Sequence, residues 1–201
     1  MQKIYEKKYY PELEPHIING YDTQENLIVD PAAKKTIDNV LKHKNSVKNR
    51  LKILIEQLRE RAEKHDDSKL KEPEVSLLIQ MDREPNYEYG TPEYFDKMER
   101  YKDFFEHHYK NNTHHPDHFD SDIAKGIEGM DLVDLCEYLV DIISYNENLK
   151  VATAIDTLNK QKERFGLDEQ LTQILKNTLF NYFASTGPFG PWLIVKNEAE
   201  N

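Results

Sequence analysis

The stretch Pro31–His65, "PAAKKTIDNVLKHKNSVKNRLKILIEQLRERAEKH", decides the fold class. Its apolar residues Ile37, Val40, Leu41, Val47, Leu51, Leu54, Ile55 and Leu58 recur with the 3.6-residue period of one face of an α-helix. Asp30 followed by Pro31 reads as an N-cap with proline at the first helical position. A single long amphipathic helix is expected, ending at "HDDSKL" (65–70).

Outward from that helix the chain reads as further helices separated by breakers. One is expected from about Glu72-Pro73 to Met81, and another opens at Thr91-Pro92 beyond the loop "DREPNYEYGTP" and runs to His108. A short turn follows at Ile123–Ile127. "DLVDLCEYLVDIISYN" (131–146) and residues 149–164 and 168–185 complete the set. "FGLD" (165–168) reads as a glycine stop followed by an aspartate N-cap. The expected fold is all-α, about six helices in a single bundle-like domain over residues 31–185. Residues 1–30 read as an extended arm or short hairpin, and 186–201 as an irregular tail whose "WLIV" packs back in extended form.

Composition narrows the class of partner. The 201 residues carry a formal net charge of −10, a field that disfavours nonspecific nucleic-acid binding. A small phosphorylated substrate remains compatible, because a bound metal locally reverses the field. No apolar run of about 18 residues predicts a membrane helix. The N-terminus has no apolar core of a signal peptide, and one cysteine, Cys136, forms no internal disulfide. A cytoplasmic location is expected, that of an infected host if the chain is phage-encoded.

Three groups of residues carry chemistry. The first is His65-Asp66, at the end of the long helix; both residue types are good ligands for divalent first-row metals, although such a pair also caps a helix end. The second is "FFEHHYKNNTHHPDHF" (104–119), which holds five of the eight histidines: His107, His108, His114, His115 and His118. Asn111 and Asn112 beside them form turns and hold imidazoles by hydrogen bonds. The third is the helix 131–146. Asp134, Glu137 and Asp141 form one stripe of a helix that is apolar around most of its circumference, so these carboxylates are expected in a narrow, largely buried channel. Lys69, Lys71 and Arg83 are candidates to hold an anionic substrate, with Asn112 at the same place.

These segments resemble an uncharacterised family of small helical proteins from bacteria and their phages. The matching motifs are "HDDSKL" (65–70), "HHYKNNTHHPDH" (107–118) and "DLVDLCEYLVD" (131–141), with "EYGTPEY" and "RFGLDEQL" also fitting, over roughly residues 30–180. More distantly, "HDDSK" is similar to the "HD-x-G-K" form of the HD superfamily of metal-dependent phosphohydrolases, with Ser68 in place of glycine. That resemblance implies an HD-domain-like all-α fold, a divalent metal (Mn, Fe, Co, Ni, Zn or Mg) and hydrolysis of a nucleotide or other small phosphorylated compound. It makes His65 and Asp66 the matching pair, with Asp66 and Lys69 catalytic, His43 the leading histidine, and Asp134 or Asp141 the closing aspartate. An unbroken helix, however, carries His43 about 33 Å from His65 at 1.5 Å per residue. The expected ligand set therefore moves to His65, Asp66, His107, His108, His114, His115 and Asp134 or Asp141. His118 and Glu137 are expected to support them from outside. Two other readings stay open. One is a non-catalytic protein that binds a phage or host factor through its acidic surface, tyrosine-rich arm and tail. The other is a His/carboxylate metalloenzyme of a different class.

Overall fold

A computed structural model describes residues 4–5, 18–21, 27–29, 31–88, 90–119, 123–149 and 153–183. The chain divides into two compact units, residues 1–56 and 57–201. In the first, the expected arm or hairpin is a small antiparallel ribbon of β1 (Ile4–Tyr5), β2 (Ile18–Tyr21) and β3 (Leu27–Val29) in the order β1-β3-β2. Ile4 pairs with Ile28 and Tyr21 with Leu27. Strands of two to four residues are too short to display a period-2 pattern, which is why the sequence left this region open.

Helix α1 (Pro31–Lys64) runs unbroken through "KNSVKN", as the periodicity predicts. Its apolar stripe is not buried along its length. Ile37 is covered and Leu41 is half-buried, but every residue from Val47 to Glu60 is exposed. The boundary between the two units falls inside this exposed stretch, at residue 56. The N-cap expected at Asp30 lies outside the described residues.

The second unit is helical: α2 (Glu74–Asp82), α3 (Pro92–Arg100), α4 (Lys102–Asn111), α5 (Ile123–Gly129), α6 (Leu132–Leu149), α7 (Ala154–Phe165) and α8 (Glu169–Thr178), closed by a π turn at Leu179–Phe183. The helix expected from Thr91 to His108 is two helices, because the backbone leaves helical geometry at Tyr101. Local chemistry sets the boundaries elsewhere. The Thr91 hydroxyl accepts from the Tyr94 amide with Pro92 at the first position of α3. Thr153 and Asp156 form a reciprocal capping box on α7. Gly166, at φ 64°, ends α7 in the left-handed region, and Asp168 caps α8. Among the described residues no helix is long and apolar enough to cross a membrane. The tail 186–201 lies outside them.

The core of this unit forms where α6, α7 and α8 meet, around Leu139, Ile142, Ile143, Leu158, Phe165, Leu175 and Leu179. On α6 the inward face is Asp134, Tyr138, Leu139 and Ile142, whereas Leu132, Cys136 and Val140 face solvent. The helix is thus half covered rather than enclosed, and its carboxylates lie on the edge of the covered half. Leu158 is fully buried, so Leu158→Ala is expected to destabilise the protein by about 2–5 kcal/mol. Ile174→Ala, on an exposed position of α8, is expected to stay within about 0.5 kcal/mol. Chemical denaturation of the two variants checks this.

Candidate metal centre

The site is built from the end of α1, α4, the loop after α4, and α6, all within the second unit. α1 stops at Lys64, and Asp66 adopts φ 58°, ψ 17°, the left-handed region that aspartate tolerates better than most residues. This reversal feeds a 3-10 turn over Asp67–Leu70, stitched by the Lys69 amide on the Asp66 carbonyl at 2.9 Å. His65 and Asp66 then face one space, with His65 Nε2 3.6 Å from Asp66 Oδ2.

Two carboxylates withdrawn from water position the imidazoles. Glu74, at the start of α2, is fully buried. Its Oε1 accepts from His107 Nδ1 at 2.7 Å, and its Oε2 from His108 Nδ1 at 2.9 Å and from the Ser68 hydroxyl at 2.9 Å. Glu137 does the same from α6. Its Oε1 lies 2.8 Å from His65 Nδ1 and 3.2 Å from His114 Nδ1, and its Oε2 accepts from Arg61 Nε. For His108 and His114 the carboxylate engages Nδ1–H and turns Nε2 toward the shared space, the usual arrangement behind a metal-ligating histidine.

These atoms converge. Asp66 Oδ1 lies 3.4 Å from His108 Nε2 and 3.7 Å from His114 Nε2, and His108 Nε2 is 3.0 Å from His115 Nε2. A tetrahedral ion with bonds of about 2.0–2.2 Å separates its ligands by about 3.3–3.6 Å. Asp66 Oδ1 and His114 Nε2 are buried and have no hydrogen-bond partner among the described residues. Their 3.7 Å separation is too long for a hydrogen bond to each other. Orphaned buried polar atoms are rare, and a cation satisfies both at once. The donor set Asp66, His108, His114 and His115 therefore fits a divalent metal. A second group, His65, His114 and Glu137, shares His114 through its other ring nitrogen and is the bracing set just described.

The electrostatics agree with these roles. Burial, with His114 and His108 nearby, holds His115 down to about 3. Burial also lowers His108 against the pull of Glu74. Both rings are neutral at physiological pH, as a metal ligand must be. His65 is raised to about 10 by the Asp141 carboxylate, 3.6 Å from Nε2, and by Glu137, which accepts from Nδ1. Burial opposes ionisation of Glu137, Asp66 and Asp141, but their hydrogen-bonded neighbours prevail and all three sit below the usual carboxylate range. For Asp66 the decisive neighbour is the Lys69 ammonium, 2.5 Å from Oδ2.

Several residues stand where the sequence did not put them. His107, expected as a ligand, binds Glu74 Oε1 and the Asn111 amide rather than the ligand atoms, and is partly exposed. Asp134 takes Arg61 at 2.9 Å and the Thr113 hydroxyl instead of joining the ligand atoms. Asp141 lies at the margin, 3.6 Å from His65 Nε2. Glu137, expected to support the ligands from outside, lies against the Nδ1 atoms of His65 and His114. His118 bonds the Tyr109 carbonyl. Asn112, expected at the substrate, is buried between the Ser68 hydroxyl and the His108 carbonyl. Lys71 and Arg83 are exposed, and neither has an ion pair with the ligand set among the described residues. His43 belongs to the first unit and to neither ligand group. Glu74 and Arg61 went unnoticed, since "EPEVSLL" and "RERAEK" carry no signal beyond ordinary helix-start and surface charge.

Helix α5 holds the histidine loop by close approach. A Cβ on Gly126 would stand 2.2 Å from the Pro116 carbonyl oxygen, next to His115, and one on Gly129 would stand 2.5 Å from Phe119 Cβ. Gly126→Ala is therefore expected to push the loop outward and weaken Zn or Mn binding by about tenfold or more at unchanged helix content. Calorimetric titration reads this; wild-type affinity would show that α5 does not set the loop. The histidines also fix a pH profile for metal-free protein. His115 and His108 are depressed, so their contribution is present above the ordinary histidine value of about 6.5 and is lost as pH falls. His65 is raised, so its contribution is present below about 6.5 and is lost as pH rises through about 10. Thermal midpoints should peak near neutrality and fall on both sides, and His65→Gln should flatten the alkaline limb.

Comparison with curated proteins and with solved structures gave no match. A family model, described as a family of unknown function (DUF5662), matches residues 32–181, which include every residue of the centre. The protein therefore belongs to that family of unknown function.

Proposed function

We propose that the second unit is a metal-dependent phosphohydrolase acting on a nucleotide or another small phosphorylated compound. The observation that carries this reading is the pair of buried, unpartnered donors, Asp66 Oδ1 and His114 Nε2, between His108 and His115 and beside an ammonium group. The similarity of "HDDSK" to the HD phosphohydrolase motif supports it. A divalent cation held by these residues supplies Lewis acidity toward a phosphoryl oxygen and lowers the pKa of water. Asp66, His108, His114 and His115 hold that ion, and Glu74 and Glu137 keep the imidazoles in the binding tautomer. Lys69 adds a second positive charge at the carboxylate edge, suited to a phosphate oxygen. His65 and Asp141, each about a third exposed, face the accessible side, where His65 holds a proton at neutral pH. Burial of His108 and His114 keeps competing water away from the imidazole side.

The test uses protein purified without a histidine tag. Elemental analysis is expected to find Mn, Fe, Co, Ni or Zn near one equivalent, and a panel of nucleotides and aryl phosphates to show hydrolysis stimulated by one of these ions or by Mg. Asp66→Asn should lose both metal and activity. Lys69→Met should keep the metal and lower kcat/KM by about 10²–10³-fold. Bound iron with oxygen consumption and no phosphate release would reassign the centre to another class of metalloenzyme. Absence of any metal would end both readings.

A further inference from the structure

The exposed length of α1 is a patterned surface rather than a solvated rod. Val40, Val47, Leu51, Leu54 and Ile55 are 42–58% exposed in the first unit. The spacing 40, 47, 51, 54 alternates in steps of seven, four and three. This is the a/d seam of a heptad repeat, with Lys44 and Leu51 at a and Val40, Val47 and Leu54 at d. Isolated exposed apolar residues need no explanation, but Val47, Leu51, Leu54 and Ile55 form an unbroken stripe over about two and a half turns, which Val40 extends beyond Lys44, and such a stripe marks an interaction site.

The charges choose the occupant. Between Asp38 and Glu56 there is no acidic residue, whereas Lys42, Lys44, Lys48, Arg50 and Lys52 all fall there, in a chain of net charge −10. Lys48 and Arg50 take the e and g positions that flank the seam, and Lys44 lies within it. We infer that this face of α1 docks an acidic amphipathic helix of a partner protein, as a two-stranded coiled coil. A carboxylate opposite Lys44 sets its register, and acidic flanks pair with Lys48 and Arg50. A second copy of this chain is a poor occupant. In parallel register Lys44 meets Lys44, and the antiparallel alignment that joins Val47 to Leu51 lays the basic run against itself. A lipid surface is also a poorer fit, because the helix has no Trp or Phe to seat in an interface. The inference is independent of the metal centre, since it uses no residue beyond Ile55.

The experiment titrates the full-length protein with two synthetic four-heptad peptides that share one Leu/Ile seam. One carries Glu at e, g and a single a position; the other carries Lys there. The acidic peptide is expected to bind at least tenfold more tightly than the basic one, with an affinity that weakens as salt rises. Leu51→Asp with Leu54→Asp should abolish binding. The charge reversal Lys44→Glu, Lys48→Glu, Arg50→Glu keeps the seam apolar and should transfer the preference to the basic peptide. Equal binding of both peptides, or none, overturns the inference. So does sedimentation of the protein alone as a dimer dissolved by the Leu51/Leu54 variant, or binding confined to anionic phosphatidylglycerol vesicles.

Discussion

A carboxylate taken out of water has to be met by donors, and two such groups organise the second unit. Glu137 gathers Arg61 and His65 from the end of α1 and His114 from the loop, while Glu74 gathers His107 and His108 from α4 and Ser68 from the turn after Asp66. Removing one partner from such a pair leaves an uncompensated buried charge, which is far worse than never burying it. The same contacts that balance these charges bring elements far apart in sequence to one place. The candidate metal centre and this part of the fold are therefore one structure: the bracing that holds helix to helix also orients the rings of His65, His108 and His114.

Much of the fold is legible in the sequence because its signals are local. The helix in 31–65, the cap at Thr91-Pro92 and the "FGLD" stop-and-start depend on residues within a few positions of each other, and the structure has them where periodicity and capping chemistry put them. The break at Tyr101 and the three-stranded ribbon carry no such signal. At the site, the sequence brings His65, Asp66, His108, His114 and His115 under suspicion together, because metal-binding residue types cluster. It does not separate His107 from His108, since neighbours on a helix differ only by a rotation of about 100° that packing decides. Nor does it reveal Glu74, whose histidine partners are 33 and 34 residues away, or Arg61, whose partners are more than 70 away.

Helix α1 shows the complementary ambiguity. A 3.6-residue apolar period normally means that a helix faces its own core, and at Ile37 it does. Farther along, the same period persists without cover. Periodicity tells that a face is apolar, not which molecule lies against it. The alternation of three and four residues, together with the one-sided charge, is what distinguishes a seam from a core face.

The left-handed backbone at Asp66 has one more implication. A side-chain-bearing residue held at φ 58° gives up conformational stability that glycine would retain, roughly 1 kcal/mol, at the very position whose carboxylate belongs to the candidate ligand set. Random drift toward glycine or asparagine at this position relaxes the backbone and discards the ligand. Residue 66 is thus a place where selection for a sturdier chain and selection for a working one pull in opposite directions. An aspartate kept there against its own conformational preference is the trace that the proposed centre would leave in a relative.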